Sequence, residues 1–237
     1  MTLGTIITQL ANGLLKSILI FSLTLIGSLP LGLFVAFGRM NRWTPFKKFA
    51  LNKKSRLIGL VSSIKPVQML IKLYISLMRG TPLMLQLMVV YFGPYYLLGI
   101  SIGQNYRFYA VIIGFVLNYA AYFAEIYRSG IESMPVGQYE AAAVLGYSKA
   151  QTFIKIILPQ VIKRILPAIT NEVITLVKDT SLAFAIAYTE MFTLARKIAS
   201  SQTTLVPFVV AGIFYYFFNL LVAWFMERCE NKLNYFR

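Results

Sequence analysis

The side chains able to do chemistry in this chain are few, and they fall at helical spacing inside apolar stretches. Asn118, Tyr122 and Glu125 are separated by four and three residues, and Glu172, Thr175 and Asp179 by three and four. Each set therefore shares one helix face. An amide, a phenol, a hydroxyl and carboxylates can hydrogen-bond and ion-pair with a polar solute. A carboxylate in apolar surroundings costs several kcal/mol or takes up a proton unless a partner offsets it. A cation, or the ammonium group of a ligand, would supply that compensation. Each residue also has a packing reading. Glu125 can pair with Arg128 on its own helix. Asp179 can pair with Lys178, although adjacent helical residues project about 100° apart. Asn118 and Tyr122 can serve as helix-packing groups. Catalysis finds no support. The chain has no histidine and one cysteine, Cys229. That excludes a histidine-based zinc site, a Ser-His-Asp arrangement and an internal disulfide. No catalytic or metal-ligating residue is assigned.

The elements that position these groups are membrane spans. Of 237 residues, 58% are hydrophobic and 13% charged, with mean hydropathy +0.67. No acidic or basic residue occurs in 18–38, 80–106, 108–124 or 198–226. A helix needs roughly 20 apolar residues to cross about 30 Å of hydrocarbon. The first apolar run continues into a basic loop and reads as a retained span rather than a cleaved signal. We place five spans, over about 14–38, 73–98, 107–127, 165–188 and 205–227, in one transmembrane domain covering 1–237. The formal net charge of +15 does not indicate nucleic acid, because the basic residues lie between the apolar blocks. Nine of the 23 lie in 39–72, five between Arg128 and Arg164, and three after Met226. The positive-inside rule makes those segments cytoplasmic, with the N-terminus outside and the C-terminus inside. The 39–72 loop has no acidic residue and suits anionic lipid headgroups. An amphipathic or irregular element is expected within it.

The 128–164 loop reads as two short cytoplasmic helices. Pro135 can open the first, 138–145 are good helix formers, and Gly146 suits its stop. Ser148 with Gln151 resembles a capping box that starts the second. Pro159 is expected to end or kink that helix, and Gly93-Pro94 to break the pattern near the outer end of span two.

Within that loop, Glu140-Ala141-Ala142-Ala143, then Gly146 and Leu158-Pro159, resemble the EAA loop of ABC-importer permeases. Arg79-Gly80-Thr81-Pro82 with Gln86 is similar to the start of the second span of polar amino acid permeases. The stretch Asn118 to Tyr122, with Ala124-Glu125 and Arg128, is similar to their third span, and Lys178 to Leu182 to their fourth. Tyr188-Thr189-Glu190-Met191 matches less closely, and 41–66 departs from the pattern by its length. The resemblance implies the type I ABC-importer permease fold in the inner membrane. It also implies ABC ATPase subunits as partners, a second permease subunit, identical or homologous, and an extracytoplasmic substrate-binding protein or domain. The helix at Glu140–Gly146 would then dock into a cleft on the ATPase. Its alanines would permit close approach, and a long charged side chain at Ala142 is expected to uncouple the two.

No G-x-x-x-x-G-K-[ST] loop is present, so this chain is expected to hold no cofactor, with ATP and Mg bound by the partner ATPase. The substrate pathway is assigned to Asn118, Tyr122, Glu125, Asp179 and Thr175. At about 1.5 Å per residue, Asn118 falls roughly 16 Å and Asp179 roughly 12 Å below the outer surface. The two are expected to face each other across one pocket. The leading reading is a permease subunit carrying a polar or charged amino acid. The alternative is a stand-alone channel or ion-coupled carrier, which leaves the coupling loop without a task. A membrane enzyme is a third.

Overall fold

The structure, a computed structural model, describes residues 2–41, 43, 65–103 and 105–233, and every regular element within them is helical. Helix α1 runs Leu3–Met40, α2 Pro66–Gly80, α3 Leu83–Leu98 and α4 Tyr106–Glu132. A hairpin follows, of α5 Val136–Val144 and α6 Lys149–Thr152. A π-helical turn, Phe153–Ile157, leads into α7 Leu158–Asp179, which passes into a 3-10 segment, Thr180–Ile186. Helices α8 Met191–Gln202 and α9 Val206–Leu233 complete the described chain.

Helix α1 packs along α4, and its composition explains how closely. Its buried face carries Gly13, Ser17, Thr24, Ser28, Gly32 and Ala36. Small residues let helices approach where lipid offers no competing hydrophobic drive. A Cβ at Gly32 would lie 2.9 Å from the Phe123 Cβ and 3.1 Å from the Ala120 carbonyl oxygen. Any larger residue there would push α1 away from α4. The central core joins Ile20 of α1, Leu87 of α3, Phe115 and Phe123 of α4, and Leu176 of α7.

The second expected span, 73–98, is not one helix. It breaks at Thr81-Pro82, and α2 and α3 meet at a bend of 112°. Pro82 has no N–H, so the carbonyl four residues back, that of Met78, loses its helical partner. The residue before a proline is pushed to extended backbone, and Thr81 has φ −124° and ψ 149°. The orphaned Met78 oxygen accepts from Asn118 Nδ2 at 3.0 Å and from Gln86 Nε2 at 2.9 Å. Asn118 Nδ2 also donates to Gln86 Oε1 at 2.9 Å, and Gln86 Nε2 to the Thr81 carbonyl at 3.0 Å. Two side-chain amides thus close the break.

Gly93-Pro94, expected to break the helix, lies within continuous α3. The same accounting explains it, because the Val90 carbonyl freed by Pro94 accepts the Tyr106 hydroxyl at 3.0 Å. Pro159 neither ends nor breaks its helix. It stands in the first turn of α7, where a missing N–H costs little, after a π turn in which the Leu158 N–H reaches back to the Phe153 carbonyl.

The helices also outrun the expected spans. Helix α1 starts at Leu3, ahead of the expected 14, and α9 extends beyond 227 to Leu233. Length and apolarity mark three helices, α1, α4 and α9, as able to cross a membrane, and a fourth if the bent α2–α3 pair is one span. The expected span at 165–188 is α7 with its 3-10 extension. It carries Lys163, Arg164, Glu172, Lys178 and Asp179, more charge than α1, α4 or α9 carries in its apolar stretch. The basic loop expected over 39–72, with an amphipathic or irregular element within it, is helical from Pro66 onward, and its 44–64 part lies outside the described residues.

The amide closure makes a stability prediction. Asn118→Leu leaves the Met78 oxygen with one donor fewer and removes a partner from Gln86. Unfolding in detergent micelles should become easier by about 1–3 kcal/mol. Gln86→Leu should cost a similar amount, and the double variant less than the two together. Unchanged stability of both single variants would show that the break does not depend on them.

Candidate functional site

The bend at Thr81-Pro82 carries Arg79 to the mouth of a groove of about 450 Å³ between α2, α4 and α7, lined by Tyr122, Glu125, Arg128, Arg164 and Glu172. The Arg79 guanidinium lies over the Tyr122 ring, 5.2 Å from its centroid, a cation–π arrangement that orients both. Glu125 accepts from Arg128 Nη2 at 2.6 Å and Nε at 3.1 Å, and its other oxygen lies 3.5 Å from Arg39 Nε. Glu125 thus takes the structural role open to it, held by its own helix and the end of α1. Arg128 also bonds Glu132. Arg164 Nη1 donates to the Ser133 carbonyl at 2.7 Å and to Ser133 Oγ at 3.0 Å, tying α7 to the end of α4. Glu172 makes no hydrogen bond or ion pair among the described residues.

Asp179 stands seven residues after Glu172, on the same face of α7. Its Oδ2 accepts the Tyr119 hydroxyl at 2.7 Å. Asn118 and Asp179 are not brought together as expected. Neighbouring positions on α4 point about 100° apart. The Tyr119 side meets α7, while Asn118 turns to the α2–α3 break. Thr175 is exposed, and its hydroxyl donates to the Asn171 carbonyl of its own helix at 2.9 Å. Of the assigned pathway residues, the structure places Tyr122 and Glu125 on the groove and Asp179 further along its α7 wall. Arg79 and Glu172 join them there. Tyr119, Asp179's partner, was legible only as an aromatic residue among many. The usable signal is that a buried tyrosine hydroxyl needs an acceptor.

Glu190 was also missed as an organising residue. It is fully buried at the start of α8, where its oxygens accept the Phe192 and Thr193 N–H groups, each at 2.7 Å. The hydroxyls of Thr193 at 2.8 Å, Tyr215 at 3.2 Å and Ser17 at 3.4 Å complete its shell. One carboxylate thereby caps α8 and joins it to α1 and α9. Its sequence signal is an acidic residue three positions before a threonine at a helix start, between two apolar runs.

The hairpin forms as its residues dictate. Gly146 adopts φ +75°. The Gly146 N–H reaches the Ala143 carbonyl and the Tyr147 N–H the Ala142 carbonyl, each at 3.0 Å, the paired closure that a glycine in left-handed backbone allows. Ser148 and Gln151 form the expected capping box. The alanines do not act alike. Ala142 is buried against its own chain, whereas Glu140, Ala141 and Ala143 are exposed. Beyond them Val144 is 89% and Leu145 72% exposed. The face presented outward is therefore Ala141, Val144 and Leu145, and Ala142 belongs to the fold.

Comparison with known proteins bears on this arrangement. Residues 56–235 match the family described as "Binding-protein-dependent transport system inner membrane component". The chain is 39% identical over 174 residues to the arginine transport system permease protein ArtQ of Bacillus subtilis (strain 168), covering 73% of this chain and 78% of the relative. It is 34% identical over 235 residues to the L-cystine transport system permease protein TcyL of the same organism, covering 98% and 90%. Among solved structures, that of "an amino acid ABC transporter with histidines" superposes with a TM-score of 0.78 at 29% identity, covering 95% of this chain and 94% of that one. An inward-facing form of the MetNI methionine ABC transporter gives 0.67 at 14% identity, a likeness of fold.

Proposed function

The chain belongs to the binding-protein-dependent transport system inner membrane components, and from that premise we propose how it carries its solute. It is a multi-pass inner-membrane permease subunit of an ABC importer for amino acids, and hydrolysis belongs to a separate ATPase chain. The family works with ATPase and binding-protein partners. Membership disfavours the stand-alone channel or carrier, because the hairpin then has its counterpart.

Our reading of the parts rests on one observation. The second arm of the hairpin, α6, is continuous with the helix that carries Glu172 and Asp179, and the exposed face of α5 is joined to it by the turn at Gly146. From Lys149 through the π turn to Asp179 the chain is helical, about 46 Å at 1.5 Å per residue. Docking of the Ala141–Leu145 face on the ATPase would move one end of this helical stretch and carry Glu172 and Asp179 with the other. The solute is a polar or charged amino acid whose ammonium or side-chain cation offsets those two carboxylates in passage. A second permease subunit, identical or homologous, closes the open side of the groove. ATP and Mg are held by the ATPase. The basic residues of 39–72 meet lipid headgroups. The N-terminus lies outside and the C-terminus inside.

Three measurements on the complex reconstituted with its ATPase and binding protein test this. Val144→Arg should abolish uptake and stimulated ATP hydrolysis while the permease still folds. Ala142→Arg should instead lower folded yield. Normal coupled transport by Val144→Arg would remove the hairpin from the interface. For the pathway, Asp179→Asn should reduce uptake per assembled complex about tenfold or more, shift selectivity away from cationic amino acids, and leave basal hydrolysis intact. Lowered yield with unchanged uptake per complex would make Asp179 structural. For orientation, cysteines replacing Ser55, which lies outside the described residues, and Lys149 should label from the cytoplasmic side, and one replacing Gln202 from the outside. The opposite pattern would invert the topology.

A further inference from the structure

A second groove lies at the other end of α4. Lys16 is the one charged residue between Leu3 and Gly38. It stands near the outer end of the expected first span, where a lysine side chain reaches the interface or a cavity open to it. Lys16 lines a groove of about 590 Å³ with Arg107, Phe108, Tyr109, Tyr188 and Thr189, and no carboxylate lines it. Neither Lys16 nor Arg107 has an ion pair among the described residues.

The groove is built rather than incidental. Arg107 Nη1 donates to the Ala187 carbonyl at 3.3 Å, and Nη2 to the Tyr91 hydroxyl at 3.2 Å, with the guanidinium 5.5 Å over the Tyr91 ring. Arg107 Nε is buried without a hydrogen-bond partner. Ala187, which helps line the groove, is held at φ +55°. A residue with a Cβ adopts that backbone at a cost, and such strain concentrates at functional sites. Arg107 is 25 residues from the end of α4 where the hairpin begins, about 38 Å along the helix. Asp179 is joined to Ala187 by the seven-residue 3-10 segment, about 14 Å at 2 Å per residue.

We propose that this groove is a carboxylate subsite, in which Lys16 and Arg107 receive the α-carboxylate of the amino acid before its cationic end reaches the α7 carboxylates. The inference rests on the amino-acid permease reading. Every free α-amino acid carries this carboxylate, so the subsite would serve the class and not one side chain. Its volume falls in the range of small-molecule sites, and its mixture of aromatic walls and a few polar groups is of that kind. An anion also completes the electrostatics, since two cations here have no counter-charge.

Lys16 is the residue to test, because it is exposed and makes no contact on which folding depends, whereas Arg107 also supports Ala187. Equilibrium binding of labelled L-arginine and L-glutamine is measured on the assembled complex in phosphatidylcholine nanodiscs, without ATP or binding protein. The competitors are the same amino acids and their α-carboxamides. The wild type should favour the free acid about tenfold or more, the value of one charge-assisted contact. Lys16→Gln should bring acid and amide within about twofold, and Lys16→Arg should restore the preference. Unchanged discrimination in Lys16→Gln, or no saturable binding to the wild type, overturns the proposal. If Lys16→Gln instead raises only the binding-protein concentration that half-saturates ATP hydrolysis, the groove receives an acidic side chain of that protein and the proposal fails. An effect that appears only when phosphatidylglycerol is included assigns the groove to lipid and also overturns it. Uptake by the wild-type complex is measured in parallel and reports on the permease reading independently of the acid-to-amide ratio.

Discussion

A carbonyl removed from water must find a donor, and in this fold the Met78 carbonyl is where that requirement shapes most. Pro82 takes away its helical partner, and in hydrocarbon no solvent can replace it. The bend is tolerable because Asn118 and Gln86 both reach the same oxygen. That closure fixes α2 against α4 and sets Arg79 at the groove mouth. It also fixes the rotation of α4, because with Asn118 committed to the break, Tyr119 is left to face α7 and meet Asp179. The same requirement recurs at Pro94, where Tyr106 supplies the donor. The helix breaks are thus part of how the groove is positioned.

The charged groups divide by how completely they are engaged. Glu190 is enclosed by five donors and organises three helices. Glu125 is shared by two arginines and closes the junction of α1 and α4. Asp179 has one phenol, and Glu172 makes no hydrogen bond or ion pair among the described residues, with Arg79 sharing its groove. A buried polar group whose hydrogen bonds are all made rigidifies the elements it joins. Charge with incomplete compensation, lining a groove, is available to a passing solute. The gradient from Glu190 to Glu172 separates clamp from pathway in a way that residue type alone does not.

The hairpin shows local and tertiary effects acting together. Its turn and its second helix start are local, set by Gly146 in left-handed backbone and by the Ser148–Gln151 box. Which alanine faces outward is a tertiary outcome. Ala142 packs inward, so the apolar surface left for a partner is extended by Val144 and Leu145, which composition alone did not single out.

Sequence by itself determined the membrane class, the apolar blocks, the hairpin with its caps and the family resemblance, because these rest on composition and on contacts within a few residues. It also indicated the Glu125–Arg128 pair, three residues apart on one helix. Tertiary structure alone decided that span two is bent, that Pro94 is absorbed and Pro159 opens a helix, and that Asn118 faces the break while Tyr119 faces Asp179. Except at Pro159, where the π turn closes within five residues, each of these depends on which distant donor reaches a given acceptor. Helical periodicity tells which residues share a face, but not which neighbour that face meets. One position, about 100° of rotation, separates a pocket residue from the amide that seals a broken helix.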